Sequence, residues 1–211
     1  MTPRELYNQK KGEQLVKNLQ SRHFEAYYCA TKAEALEQAL KLIPKGSTVG
    51  WGGCTAAMQV GLIDAVKAGD YTAYDRETAA TFEERGAIAA KCLTADVFLT
   101  GANAISMDGQ MVNIDGIGNR VAAIIYGPKS VIVVAGMNKV CTDLDAAMDR
   151  ARTVAAPMNH QRFPGKTPCL VTGCCGDCKG EDCICNQIVI TRHCRPAGRI
   201  KFILVGEELG F

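Results

Sequence analysis

No stretch of this chain is apolar for long enough to cross a bilayer. The longest apolar runs, such as Val131-Ile132-Val133-Val134-Ala135, fall far short of the ~20 residues a spanning helix needs. The opening residues Met1-Thr2-Pro3-Arg4-Glu5 are polar. They offer no apolar core of a secretory signal, so a cytoplasmic location is expected. An excess of charge is missing as well. The 24 Lys and Arg nearly balance 22 Asp and Glu, for a net charge of +2, which gives no basis for a nucleic-acid partner. There are no internal repeats and no low-complexity tail. Ser-His-Asp order, His-Glu-x-x-His and Walker motifs are all missing, and no catalytic residue emerges. What remains is ordinary globular composition, 47% hydrophobic and 22% charged over 211 residues. That is enough for one sizeable core with one appendage.

Cysteine is the abundant exception, with 11 residues. In a reducing compartment, clustered cysteines hold metal more often than they form disulfides. Six of them fall between Cys169 and Cys185, in a segment, 164–186, of Pro, Gly and charge without periodicity. One register is Cys169-x5-Cys175-x2-Cys178-x6-Cys185. The Cys175-x2-Cys178 pair lets one turn present two thiolates to one ion. Gly173, Gly176 and Gly180 supply the turn conformations. Zinc and iron–sulfur sites both satisfy this chemistry. Three ligands packed close with the fourth further on is nearer to iron–sulfur spacing than to two zinc-knuckle pairs. Cys174 and Cys183 blur the register, and Cys194 is a weaker candidate. Cys29, Cys92 and Cys141 read as small buried hydrophobes. Cys54, at the start of a helix, reads as packing ahead of a nucleophile.

Elsewhere helical and strand-like segments alternate. Capping-box patterns at Thr2-Glu5 and Thr31-Glu34 open helices to about Leu19 and to Ile43. A strand over 48–51 leads into Gly52-Gly53-Cys54-Thr55 and a helix over 56–66. A helix is expected over about 77–92 and a buried strand over 96–100. Asp108-Gly109 suggests a type I′ hairpin within 106–113. A helix over 119–126 and a strand over 129–135 follow, then a helix capped by Thr142. Strands over 187–191 and 200–205 are expected to close the chain as a hairpin. The pattern implies a single α/β domain, 1–211, with a mostly parallel sheet covered by helices. The segment 164–186 is then a metal-binding insertion within it.

In such a sheet, loops at the strand ends gather into a ligand crevice. Gly52, Gly53 and Thr55 form a turn suited to an anion at a helix start. The polar, glycine-rich stretch from 100 to 120 adds Asn103, Asn113, Asp115, Asn119 and Arg120, of which Arg120 can clamp a carboxylate or phosphate. Asn138 and Lys139 follow the 129–135 strand to the same end. Asp108 reads as turn, and His160 as a surface or helix-end histidine.

These residues resemble a family. Val49-Gly50-Trp51-Gly52-Gly53, Gly101-Ala102-Asn103-Ala104, Val112-Asn113-Ile114-Asp115-Gly116 and Gly118-Asn119-Arg120-Val121 are similar to the LUD-domain lactate-utilisation proteins. So are Tyr126-Gly127-Pro128-Lys129, Asn138-Lys139, Asp143-Leu144-Asp145 and Ala155-Ala156-Pro157-Met158-Asn159. Thr167-Pro168-Cys169, Cys175 to Cys178 and Ile184-Cys185-Asn186 resemble members that end in a four-cysteine segment. The resemblance favours Cys169, Cys175, Cys178 and Cys185 as ligands, with Cys174 and Cys183 extra. It implies a fold like the phosphosugar isomerase and CoA-transferase superfamily, in which the glycine turn faces an anionic ligand. It also implies a role in oxidation of a small hydroxy acid such as lactate, beside iron–sulfur partner proteins. The expected cofactor is an iron–sulfur cluster, [4Fe–4S], with zinc as the alternative. The expected partners are a small anionic substrate and iron–sulfur proteins, with a homodimer as one arrangement. An oxidoreductase or oxidoreductase subunit stands against a non-redox binding or regulatory module with structural zinc. An isomerase or acyl-transfer enzyme ranks last, because no catalytic carboxylate stands out.

Overall fold

The computed structural model describes residues 1–211. Helix α1, Pro3–Ser21, opens with the reciprocal capping box of Thr2 and Glu5. Strand β1, Glu25–Cys29, follows it and was not legible in the sequence, because its half-buried edge position carries no clean alternation. Helix α2, Lys32–Lys41, leads to β2, Thr48–Gly52. The expected 56–66 helix is two pieces, α3, Thr55–Gln59, and α4, Leu62–Ala68. Gly61 separates them at φ 79, a left-handed conformation that ends a helix. Strand β3, Thr72–Tyr74, precedes α5, Phe82–Cys92. The helix expected from about residue 77 starts late because Thr81 and Glu84 close their own capping box there.

Strands β4, Val97–Thr100, β5, Ala104–Ser106, and β6, Met111–Asp115, come next. The β5–β6 turn is not type I′. Only Gly109 has positive φ, at 90, so a type I turn ends on a left-handed glycine. Helix α6, Asn119–Ile125, leads to β7, Ser130–Gly136, and the short β8, Val140–Cys141. Helix α7, Leu144–Arg150, is capped by Asp143 rather than Thr142, and it runs through a π-helical stretch, Ala151–Ala155, into α8, Ala156–His160. A short helix α9, Pro168–Thr172, opens the cysteine segment. Strands β9, Gln187–Thr191, and β10, Ile200–Val205, end the order.

Six strands form one parallel sheet in the order β1-β10-β7-β4-β2-β3. A second sheet, β8-β5-β6-β9, pairs β6 antiparallel to both neighbours. The expected closing hairpin is therefore a correction. Strand β10 is apolar on both faces and takes a central place between β1 and β7, whereas β9 alternates in exposure and takes the edge beside β6. Both faces of the parallel sheet are buried. Val131, Val133 and Ala135 pack with Leu15, Leu19, Phe98 and Phe202 on one side. Ile132 and Val134 pack with Val49, Leu62 and Val205 on the other. Ile105 and Met111 join the first cluster, so the second sheet stacks on that face.

Gly136 ends β7 where no side chain fits. An added Cβ would meet Asn138 Oδ1 and two backbone atoms, Leu209 N and Glu207 O. Gly136→Ala should lower stability by about 3 kcal/mol, the upper range for an overpacked site, read as an earlier denaturant midpoint with unchanged slope.

Candidate functional site

The C-terminal ends of β2, β4 and β7 open onto a cavity of about 590 Å³, whose far wall is the β6–α6 turn. Seven of the ten sequence-selected residues line it: Gly53, Thr55, Asn103, Asp115, Asn119, Arg120 and Lys139. Gly52, Asn113 and Asn138 do not. Gly52 leaves room for Arg120 Cβ, 3.6 Å from where its own Cβ would stand. Asn113 is fully buried and both polar atoms of its side chain lack partners. The Asn138 amide clamps the chain end, accepting from Leu209 N at 3.1 Å and donating to Leu209 O at 3.4 Å.

Arg120 is the centre of the arrangement. Asp115 Oδ2 accepts from the backbone N of Arg120 and Val121 at 3.0 and 3.1 Å, which caps α6 and fixes the residue's start. Nη2 donates to Ile114 O at 2.5 Å and to Asn103 Oδ1 at 3.1 Å. Asn103 Oδ1 also accepts from Ile114 N at 2.8 Å, so one amide ties the two sheets' loops together. Asp115 Oδ1 lies 3.5 Å from Nε, an ion pair without a hydrogen bond. The rest of the guanidinium lies over Gly53, whose φ of 55 and missing Cβ make the space, since a Cβ would come within 2.8 Å of Nη1 and Cδ. Gly53→Val should displace the guanidinium and weaken anion binding roughly tenfold or more, the worth of one hydrogen bond to a charged group. Calorimetric titration with a small carboxylate checks it.

Lys139 is only 4% exposed. Burial pushes its amine down to about 7, and Arg150 and Arg120 add to the shift, with no carboxylate opposing them. Its Nζ stands 3.8 Å from the point a Gly101 Cβ would occupy, and that point is 3.2 Å from Gly53 O. The lysine therefore adjoins the Gly53 turn over which the Arg120 guanidinium lies. Around the rim, Arg76, Arg85 and Arg162 bring the cationic side chains to five, against Glu77 and Asp115. Glu77 is already paired with Arg85 at 2.5 Å and Arg76 at 3.5 Å. Arg76 and Arg85 come from the α5 region, which no motif connects with the glycine turn.

The positive field comes from these side chains. Helix α3 has five residues and too few aligned peptides for a strong dipole, so the expected helix-start contribution is minor. Thr55 is its first residue, and its N-cap, Cys54, makes no side-chain bond. Burial pushes the Cys54 thiol up to about 12, the opposite of an activated nucleophile.

The cysteine segment borders this cavity. Ile184 lines it, and Asn186 staples the segment to the β6–α6 turn, donating from N to Asp115 O and from Nδ2 to Gly116 O, each at 2.9 Å. Cys169 is buried, its Sγ 3.3 Å from Thr167 Oγ1 and 3.4 Å from Nδ1 of His160. His160 is 2% exposed, deep inside rather than at the surface. Burial pushes the Cys185 thiol up to about 12, and Cys183, Cys175, Cys169 and Cys178 add to the rise. Burial and a hydrogen bond with Cys183 raise Cys178. No three His, Cys, Asp or Glu side chains stand together at metal-binding spacing. The donor chemistry nevertheless fits a soft metal or cluster. Neighbouring cysteines oppose the ionisation of Cys178 and Cys185, and a bound cation would reverse that penalty. Cys174 is exposed. Cys194 is a core residue far from the loop, its Sγ accepting from Ile200 N at 3.3 Å.

Fold and cavity together define a class: an α/β protein with a cation-lined pocket at its parallel-strand ends and a thiol-rich loop on the pocket wall. Within that class the chain belongs to the LUD-domain family, whose model matches residues 12–205. No curated protein matches it. A DUF162 family protein from Deinococcus radiodurans superposes with a TM-score of 0.54 at 13% identity, over 94% of this chain and 97% of that one. At that identity the likeness speaks for the fold alone. eIF2B beta from Chaetomium thermophilum gives a TM-score of 0.39 at 18% identity, covering 54% of this chain and 44% of that chain. Ribose 5-phosphate isomerase from Plasmodium falciparum gives 0.32 at 16% identity, covering 53% and 52%. Nothing is built on these weaker likenesses. No helix is long and apolar enough to cross a membrane.

Proposed function

We propose that this chain is a redox subunit that binds a small 2-hydroxy or 2-keto acid, such as lactate or pyruvate, in the cation-lined cavity. In this reading Cys169, Cys175, Cys178 and Cys185 hold a [4Fe–4S] cluster on the cavity wall. The observation that carries it is the buried Lys139 beside Arg120 and the Gly53 turn, facing a pocket that the cysteine segment helps to close. The side chains divide the work. Arg120 holds the carboxylate, with Asn103 and Asp115 fixing the guanidinium. Lys139 reaches the 2-oxygen. With its amine near 7, the neutral form can accept a hydroxyl proton at physiological pH and the charged form can hold a keto oxygen. Phe82, Ile117 and Phe163 give the rim an exposed apolar edge. A cluster held by the four thiolates would supply one-electron transfer.

The test is anaerobic purification with iron, sulfide and zinc analysis, followed by titration with lactate and pyruvate. A brown protein containing iron and acid-labile sulfide that binds one of these acids is the expected result. A colourless protein with one zinc would overturn the redox reading and leave a ligand-binding module with a structural site.

A further inference from the structure

We infer that Lys139 is a covalent site, capturing a 2-keto acid as an imine between Nζ and the keto carbon. The inference rests on the proposal that the cavity takes such acids, but it needs neither the cluster nor a redox partner.

Three observations converge on it. The first is where the amine stands. Nζ lies in a notch lined by Gly101 and Gly210, both without side chains. A Cβ on Gly210 would come within 2.9 Å of Nζ, and one on Gly101 within 3.8 Å. A side chain at either position would crowd the nitrogen, which lines the cavity from this notch. The second is the missing counter-ion. None of the chain's side-chain ion pairs involves Lys139, and the two carboxylate side chains that line the cavity are committed elsewhere, Asp115 to Arg120 and the cap of α6, Glu77 to Arg76 and Arg85. A buried lysine kept for structure would be paired, whereas this one faces the cavity unpaired. The third is its company. Arg120 beyond the Gly53 turn and Arg150 from α7 are both positive. Cationic neighbours and burial together hold a lysine amine neutral and nucleophilic near pH 7. Of the two, Arg120 lines the cavity together with Lys139 and would hold the acid's carboxylate, whose adjacent keto carbon would then lie within the same cavity as Nζ.

The chemistry balances without an oxidant. The nitrogen lone pair forms the N–C bond while the C=O π electrons move to oxygen. One amine proton passes to that oxygen to give a carbinolamine. The hydroxyl then leaves as water with the second amine proton, and the C=N bond forms. The imine takes a proton from solvent and stays beside the carboxylate it neutralises. Lactate has no carbonyl and cannot react, so covalent capture would distinguish the keto acid from the hydroxy acid in one pocket.

Pyruvate with borohydride is the probe. The hydride reduces the imine to a stable secondary amine, and peptide mass mapping locates it. In the wild-type chain at pH 7, the adduct should appear on the Lys139 peptide on the order of a hundredfold above exposed lysines such as Lys45 and Lys179, as expected for an amine about half neutral at that pH beside lysines almost wholly protonated. Lactate with borohydride should give none. Lys139→Arg should lose the adduct while calorimetry still detects pyruvate binding. Because the mapping is done on the wild-type chain, the result does not depend on the variant folding. Pyruvate binding without an adduct at Lys139, or adducts spread evenly over surface lysines, would overturn the imine and leave the anion-binding proposal standing. No pyruvate binding at all would overturn both.

Discussion

Cys175→Ser and Cys178→Ser are each expected to leave the anaerobically purified protein without iron, while Cys29→Ser leaves its iron content at the parent level. Losing one thiolate from a four-thiolate shell leaves an open coordination position that serine, with a hydroxyl that stays protonated near neutral pH, fills poorly. Cys29 is the control because it is buried in the core against α2, its thiol pushed up to about 11 by burial, with no part in the segment. Cys183 sharpens the test. It lies close enough to raise both Cys178 and Cys185, so it is the thiol that could stand in for a lost ligand. With Cys169, Cys175, Cys178 and Cys185 as the ligands, Cys183→Ser keeps its iron. Equal iron in Cys178→Ser and the parent, with loss in Cys183→Ser, would move the ligand from Cys178 to Cys183.

What the sequence made legible tracks how local the physics is. The β7 run Val131 to Ala135 is apolar at every position because both faces are covered, and such a run announces a central parallel strand. Thr2 with Glu5 forms a capping box from residues three apart, with no tertiary information needed. Strands β9 and β10 are adjacent in sequence and look like a hairpin, yet their pairing is decided by β6 and by β1 and β7, all remote. The site divides the same way. Arg120 stands in a glycine-rich polar run that marks a loop. Arg76 and Arg85 reach the same cavity from the α5 region, where a charged residue on a helix looks like any solvated face. Lys139 could be placed at a strand end, but its burial depends on Gly101, Gly210 and the chain end held by Asn138. Those are tertiary facts. Thr55 errs in the other direction. A strand–turn–helix pattern suggests an anion site at a helix start, but the helix stops after five residues and the charge comes from side chains.

Lys139→Met is expected to change the protein most below neutral pH. The amine titrates near 7 when folded, against 10.5 for an ordinary lysine. Below about pH 7 both the folded and unfolded chains carry the proton, and the folded state bears the full cost of a buried ammonium. Between 7 and 10.5 the unfolded chain binds more protons, so stability from this group rises with pH by up to about 1.4 kcal/mol per unit. Above that window both states are neutral and the penalty is gone. Methionine carries no charge at any pH and nearly matches the stem in volume. Lys139→Met should therefore raise the melting temperature clearly at pH 6 and progressively less toward pH 10. Ligand binding should move the opposite way. A carboxylate in the cavity favours the ammonium, so pyruvate affinity in the wild type should fall as pH climbs above 7, with proton uptake on binding. Lys139→Met should bind at least tenfold more weakly at pH 6, the least expected from losing a charged hydrogen bond, and its affinity should be flat from pH 6 to 9. Melting curves and calorimetry in buffers of different ionisation enthalpy read both effects. A variant less stable than wild type at pH 6, with the pH slope of binding unchanged, would mean that Lys139 holds the fold through a counter-ion and does not face the ligand.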